Sequence, residues 1–106
     1  MKKFPDGFYW GAATASYQVE GGIEQCDWAE AAREGRVPPC GRACDHYSQY
    51  KADFDLAKEL GHTAHRFSVE WARIEPEEGR FDPEAIAHYR AAVSYTHLTL
   101  PTTPYV

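Results

Sequence analysis

The chain has 106 residues, 43% of them hydrophobic and 14% aromatic, a composition that calls for a buried core and excludes a disordered tail. Its formal charge of -5 comes from 16 acidic and 11 basic residues scattered along the chain, which argues against a nucleic-acid or anionic-membrane partner. No run approaches the roughly 18 apolar residues of a membrane span, and Pro5, Asp6 and Gly7 stand where a secretion signal would begin its apolar segment, so a cytoplasmic location is expected.

Residues 8–13, Phe-Tyr-Trp-Gly-Ala-Ala, read as a short buried strand running into a Gly/Ala/Ser-rich turn at 11–16. Asp27, with Glu30 three positions later, is expected to cap a short helix over 27–32 that stops near Gly35. Pro38, Pro39 and Gly41 mark a loop. From Asp45 the pattern turns helical, with Tyr47, Tyr50, Phe54, Ala57 and Leu60 at steps of three or four and Gly61 as the stop. Residues 64–69 read as a second short strand and 71–80 as a Glu/Pro/Gly-rich loop. Asp82, Pro83 and Glu84 then supply an N-cap, a first-position proline and an acidic first turn. The helix they open has Ile86, Tyr89 and Val93 on its apolar face. Strand, helix, strand, helix is the order of an α/β chain building a parallel sheet. Residues 94–106 shift to a Thr/Pro-rich composition without a charged residue.

Two groups of residues suggest chemistry. Gly11, Ala12, Ala13, Ala15 and Ser16 would let the backbone approach a ligand. Gln18 offers one acceptor and two donor hydrogens on a planar amide, which suits two adjacent sugar hydroxyls. Composition alone favours a plainer reading, in which the small residues relieve packing and Gln18 faces solvent. The odd cysteine count, Cys26, Cys40 and Cys44, points to reduced thiols. Cys40 and Cys44 with His46 fall short of the four ligands of a closed zinc site. His62 and His65 read as ordinary surface or core histidines, and His88 sits among polar helix positions and carries no signal.

The fifteen residues F-Y-W-G-A-A-T-A-S-Y-Q-V-E-G-G at 8–22 resemble the N-terminal signature of glycoside hydrolase family 1 at every specified position. C-D-H-Y at 44–47, K-E-L-G at 58–61 and R-F-S-V-E-W-A-R-I-E-P at 66–76 extend the resemblance over residues 4 to about 92. It implies a (β/α)₈ TIM barrel that hydrolyses terminal β-linked sugars with retention, without metal or organic cofactor. Its partner is a β-linked oligosaccharide or glycoside. Such a barrel needs roughly 250 residues, so residues 1–92 correspond to its N-terminal portion, about two β/α units.

By the same resemblance, Gln18 matches a glutamine that hydrogen-bonds the glycone, and Arg66 an arginine beside the nucleophilic carboxylate that helps keep it ionised. The family's two catalytic glutamates lie in Asn-Glu-Pro and Thr-Glu-Asn-Gly motifs, and neither motif occurs here. The chain alone is therefore expected to be inactive. Glu24 matches neither catalytic position, Glu20 belongs to the signature as a structural residue, and Glu70, Glu75, Glu77 and Glu78 are expected to form a solvated loop face.

His97, in T-H-L-T-L-P at 96–101, has the look of the family's third-strand segment, where a histidine binds the glycone. The preceding helix leaves about a dozen residues too few for that register. Residues 93–106 accordingly read as a non-native or aberrant tail, such as adapter or vector read-through, with a genuine deletion as the lesser reading. The rival to an enzyme fragment is a non-catalytic carbohydrate-binding or assembly fragment, with Gln18, Trp10, Tyr17 and Trp71 forming a shallow sugar surface.

Overall fold

A computed structural model describes residues 2–99. In chain order the elements are β1 (Gly11–Ala13), α1 (Ser16–Val19), α2 (Asp27–Arg33), α3 (His46–Glu59), β2 (Ala64–Arg66), α4 (Trp71–Ile74) and α5 (Pro83–Thr99). The strands pair in parallel, with Gly11 opposite Ala64, Ala12 opposite His65 and Ala13 opposite Arg66. Glycine is required at the start of this ladder. A Cβ on Gly11 would lie 2.1 Å from the Ala64 carbonyl oxygen, so at this position the small residue serves the close approach of the two strands.

Both strands are shorter than the sequence suggests, and β1 is exposed rather than buried. Phe8, Tyr9 and Trp10 lie ahead of the ladder and remain exposed. Phe4, Phe8 and Trp10 pack on one another with ring centroids 4.5–4.8 Å apart instead of entering a core. Trp10 is nevertheless fixed, its N–H donating to Thr63 Oγ1 at 3.0 Å and its carbonyl accepting from Thr63 N at 2.7 Å.

The helices follow their local signals with four departures. In α2 the cap is Cys26, whose sulfur accepts from Ala29 N at 3.4 Å, while Asp27 sits inside the first turn. An acidic side chain there still favours the helix dipole. In α3, Phe54 is the buried anchor at 1% exposure, but Leu60 is 78% exposed and lies off the apolar face. Gly61 ends that helix in the left-handed conformation, φ +86°, as a glycine terminator should. The 71–80 segment is not all loop. Glu70 caps α4 by accepting from Ala72 N at 3.3 Å, and that turn delivers Ile74 to a core shared with Ala85 and Tyr89.

The fourth departure lies in α5. Its start is as expected, with Asp82 Oδ1 accepting from Glu84 N at 2.9 Å and Ala85 N at 3.4 Å. It then runs through Ala92 and Val93 without a break to Thr99. His97 therefore sits exposed on a helix, not in a third strand. Residues 100–106, the rest of the T-H-L-T-L-P segment and tail, lie outside the described residues.

The radius of gyration is 15.9 Å, against about 13 Å for a compact domain of this length. The accessible surface is 7771 Å², where a closed monomer of 12.0 kDa exposes roughly 6,000 Å². No helix among the described residues is long and apolar enough to cross a membrane.

Between α3 and α5 the packing is aromatic. The His88 ring stacks on Tyr47 with centroids 3.7 Å apart and meets Tyr50 and Tyr89 edge-on, while His65 packs against Phe54 and Phe67. Burial, joined by neighbouring charge from Arg73 and His46 at His88 and from His46 and His62 at His65, holds both imidazoles below their ordinary pKa. The unfolded chain therefore takes up protons first as pH falls. Stability from these two groups is expected to be full above about pH 6.5 and to be lost as pH drops through their lower folded pKa values. Melting curves of the full-length protein and its His88→Phe variant between pH 5 and 8 check this, the variant showing the shallower decline.

Candidate functional site

The two strands end on the same side, and the polar groups gather there. Arg66 is the last residue of β2. Its carbonyl accepts from Thr14 N at 2.9 Å, and its Nη1 donates to the Thr14 carbonyl at 2.9 Å. A guanidinium has five N–H donors, so this bond orients the fork without exhausting it. Arg66 is exposed although it ends a strand. The strand it ends is only half covered, so water rather than a buried anion solvates the charge.

Five residues beyond β1, Gln18 lies on the single turn of α1. Its Oε1 accepts from Ala15 N at 3.2 Å, satisfying a free donor at the helix start. The bond fixes which end of the amide faces the backbone and leaves Nε2 as the group to offer a ligand. Gln18 is exposed, and a cavity of about 470 Å³ opens beside it, bounded by Tyr17, Trp28, Val37, Pro38, Ser68 and Glu70. Trp28 stacks on Tyr17 at 6.5 Å, giving one wall an aromatic face. Neither Arg66 nor His97 lines this cavity. A larger groove of about 780 Å³ runs along Glu20, Arg33, Arg42, Tyr47 and Arg73 and touches neither Gln18 nor Arg66.

Beneath α1 lies a polar network that local sequence patterns barely signal. Glu20 is 4% exposed. Its carboxylate accepts from the Tyr89 hydroxyl at 2.8–2.9 Å and from Arg73 Nε at 2.9 Å. Burial pushes the Glu20 carboxyl above its ordinary pKa, against the opposing pull of Tyr89 and Arg73. Burial likewise pushes the Tyr89 phenol well above its ordinary value, with the Glu20 carboxylate adding to the shift. Tyr89 thus stays a donor at neutral pH. Glu70 is also buried, at 8% exposure, and so does not belong to a solvated loop face. Its Oε2 accepts from Ser16 Oγ at 2.9 Å while Oε1 caps α4. The glutamates at 77 and 78 are exposed as expected.

The three cysteines are free. Among the described residues no group of three or more His, Cys, Asp or Glu side chains is arranged to hold a metal ion. His46 instead pairs with Asp53 at 2.7 Å.

A parallel strand pair with its polar side chains collected beyond the strand C-termini is the layout of an α/β enzyme site. The sequence profile of glycosyl hydrolase family 1 matches residues 1–99. The chain belongs to glycosyl hydrolase family 1. It is 40% identical to Beta-glucosidase A of Thermotoga maritima over 116 aligned positions, covering all of this chain and 26% of that protein. It is 38% identical over 116 positions to a 1,4-beta-D-glucan glucohydrolase of Thermotoga neapolitana, covering all of this chain and 27% of the relative. Among solved structures it superposes on a beta-glycosidase from Pyrococcus horikoshii with a TM-score of 0.84 and 38% identity, over 92% of this chain and 24% of the other. The chain thus spans about a quarter of the length of these relatives.

Proposed function

We propose that this chain is the N-terminal quarter of a retaining β-glucosidase, supplying the first two strands of a (β/α)₈ barrel and one wall of its glycone pocket. The observation that carries this is the 40% identity to a β-glucosidase across the whole chain. The excess surface and the uncovered strand pair support it, because a barrel sector must leave its sheet edges open for the strands that follow.

In this reading the Nε2 amide of Gln18 holds hydroxyls of a terminal β-linked sugar, with the stacked Tyr17 and Trp28 nearby. Arg66, anchored through Thr14, keeps its remaining donors for the nucleophilic carboxylate of a later strand and lowers its pKa. The chemistry belongs to two later glutamates roughly 5 Å apart, one attacking the anomeric carbon and the other protonating the leaving group. This chain carries neither of their motifs.

The 106-residue chain by itself is accordingly expected to be inactive. Assaying it beside the full-length protein on an aryl β-glucoside tests the proposal: turnover by the full-length protein with an inverted product anomer, or turnover by the short chain alone, would contradict it.

A further inference from the structure

The four-residue helix α1 is too short to hold itself, since the first helical turn is unfavourable without tertiary support. Its support comes from residues far away in sequence. At its start, Ser16 N donates to Ser68 Oγ at 2.7 Å and Ser16 Oγ to Glu70 Oε2 at 2.9 Å. At its end, Arg73 donates through Nε to Glu20 at 2.9 Å and through Nη2 to the Gly21 carbonyl at 2.7 Å. One hydroxyl joins the two anchors. Tyr89 Oη donates to Glu20 and accepts from Glu70 N at 3.1 Å.

From this geometry we infer that Tyr89, together with Arg73, is a positioning residue that holds α1 in the register presenting the Gln18 amide to the sugar. The inference rests on the proposed sugar-binding role of Gln18 and goes beyond it by naming what sets that side chain's place. Glu20 has no route to the ligand cavity in this arrangement, for it is buried and turned to Arg73 and Tyr89. Its carboxylate instead ties the end of α1 to α4 and α5. Gly21 is part of the same clamp. It sits at φ +83°, and a Cβ there would meet the Arg42 carbonyl oxygen at 2.1 Å. Only glycine fits this exit from α1. A displacement of about 1 Å at a binding group is enough to weaken a productive contact.

Tyr89 offers a clean separation of packing from positioning, because its ring belongs to the Ile74 and Ala85 core while its hydroxyl serves the network. The test is a double-mutant cycle in the full-length protein with Tyr89→Phe and Gln18→Ala on an aryl β-glucoside. Tyr89→Phe is expected to lower kcat/KM about tenfold in the native background, as for one lost charge-assisted hydrogen bond. In the Gln18→Ala background it should lower it no further. Equal losses in both backgrounds, or no loss in the native one, overturn the inference, since a merely structural hydroxyl gives additive effects. If Gln18→Ala alone leaves kcat/KM unchanged, the sugar-binding role of Gln18 has failed and the inference goes with it. Should Tyr89→Phe not fold, Arg73→Lys, which keeps the charge but not the paired donors, takes its place in the cycle: a loss confined to the native background supports the inference, and equal losses in both overturn it.

Discussion

Gln18→Ala in the full-length protein is expected to lower kcat/KM on an aryl β-glucoside by about two to three orders of magnitude. Hydrogen bonds to sugar hydroxyls that strengthen in the transition state contribute several kcal/mol in glycosidases, and each ~1.4 kcal/mol is a factor of ten in rate. The loss should come with little change in stability. Gln18 is exposed, and among the described residues its side chain bonds Ala15 N alone, so removing it costs about 1 kcal/mol of local helix stability. Steady-state kinetics beside a thermal melt checks both halves. A kcat/KM within about threefold of the native value, in a protein that melts normally, would remove Gln18 from the site.

Arg73→Ala carries the largest expected cost in stability, about 3–5 kcal/mol, the usual consequence of removing one partner from a buried ion pair. The Arg73 side chain is 24% exposed and that of Glu20 only 4%, so solvent does little to replace the lost cation. The Gly21 carbonyl loses its donor at the same time, as does the face of Tyr47, over whose ring the guanidinium carbon lies 4.0 Å from the centroid. The pH dependence has a definite sign. Burial already raises the Glu20 carboxyl above its ordinary 4.5, so the native state holds this proton more tightly than the unfolded chain. Stability from Glu20 is full below that value and falls as pH rises through the folded pKa. Without Arg73 the folded pKa rises further, so the deficit should be largest near neutral pH and shrink toward pH 5. Urea denaturation at several pH values measures it. A deficit that grows as pH falls would contradict the assignment.

What the sequence made legible was local. The Asp82 cap and first-position proline, the Gly61 terminator and the Phe54 anchor all depend on residues within a turn or two of one another, and each stands where expected. The misplaced features depend on distant partners. The exposure of Phe8 to Trp10 follows from what does or does not lie across the strand, which alternation of residue types does not report. Glu70 sits in a stretch rich in acidic residues, and only the arrival of Ser16 from 54 positions earlier makes it an internal group.

The site divides in the same way. Gln18 and Arg66 were singled out by the motifs that contain them, and the fold puts Arg66 at the end of β2 and Gln18 five residues past β1. Tyr89 reads only as part of an apolar helix face, because its hydroxyl meets a carboxylate 69 residues away. Arg73 carries no signal of its own, and His88 looks like a polar helix position although it stacks on Tyr47. His97 has a signal in its neighbours Leu98 and Pro101, but the helix that holds it through Thr99 gives it no place at the ligand cavity.

On the proposed function, residues 1–92 begin a β-glucosidase whose catalytic glutamates lie further along. Sequencing the genomic DNA across and beyond codon 92 tests it most directly. The expected result is an open frame that runs into a third strand and then into Asn-Glu-Pro and Thr-Glu-Asn-Gly motifs, within a protein about four times this length, as the 26% coverage of Beta-glucosidase A implies. A genomic frame that continues instead as the Thr/Pro-rich segment of residues 94–106 and closes without either glutamate motif would contradict it.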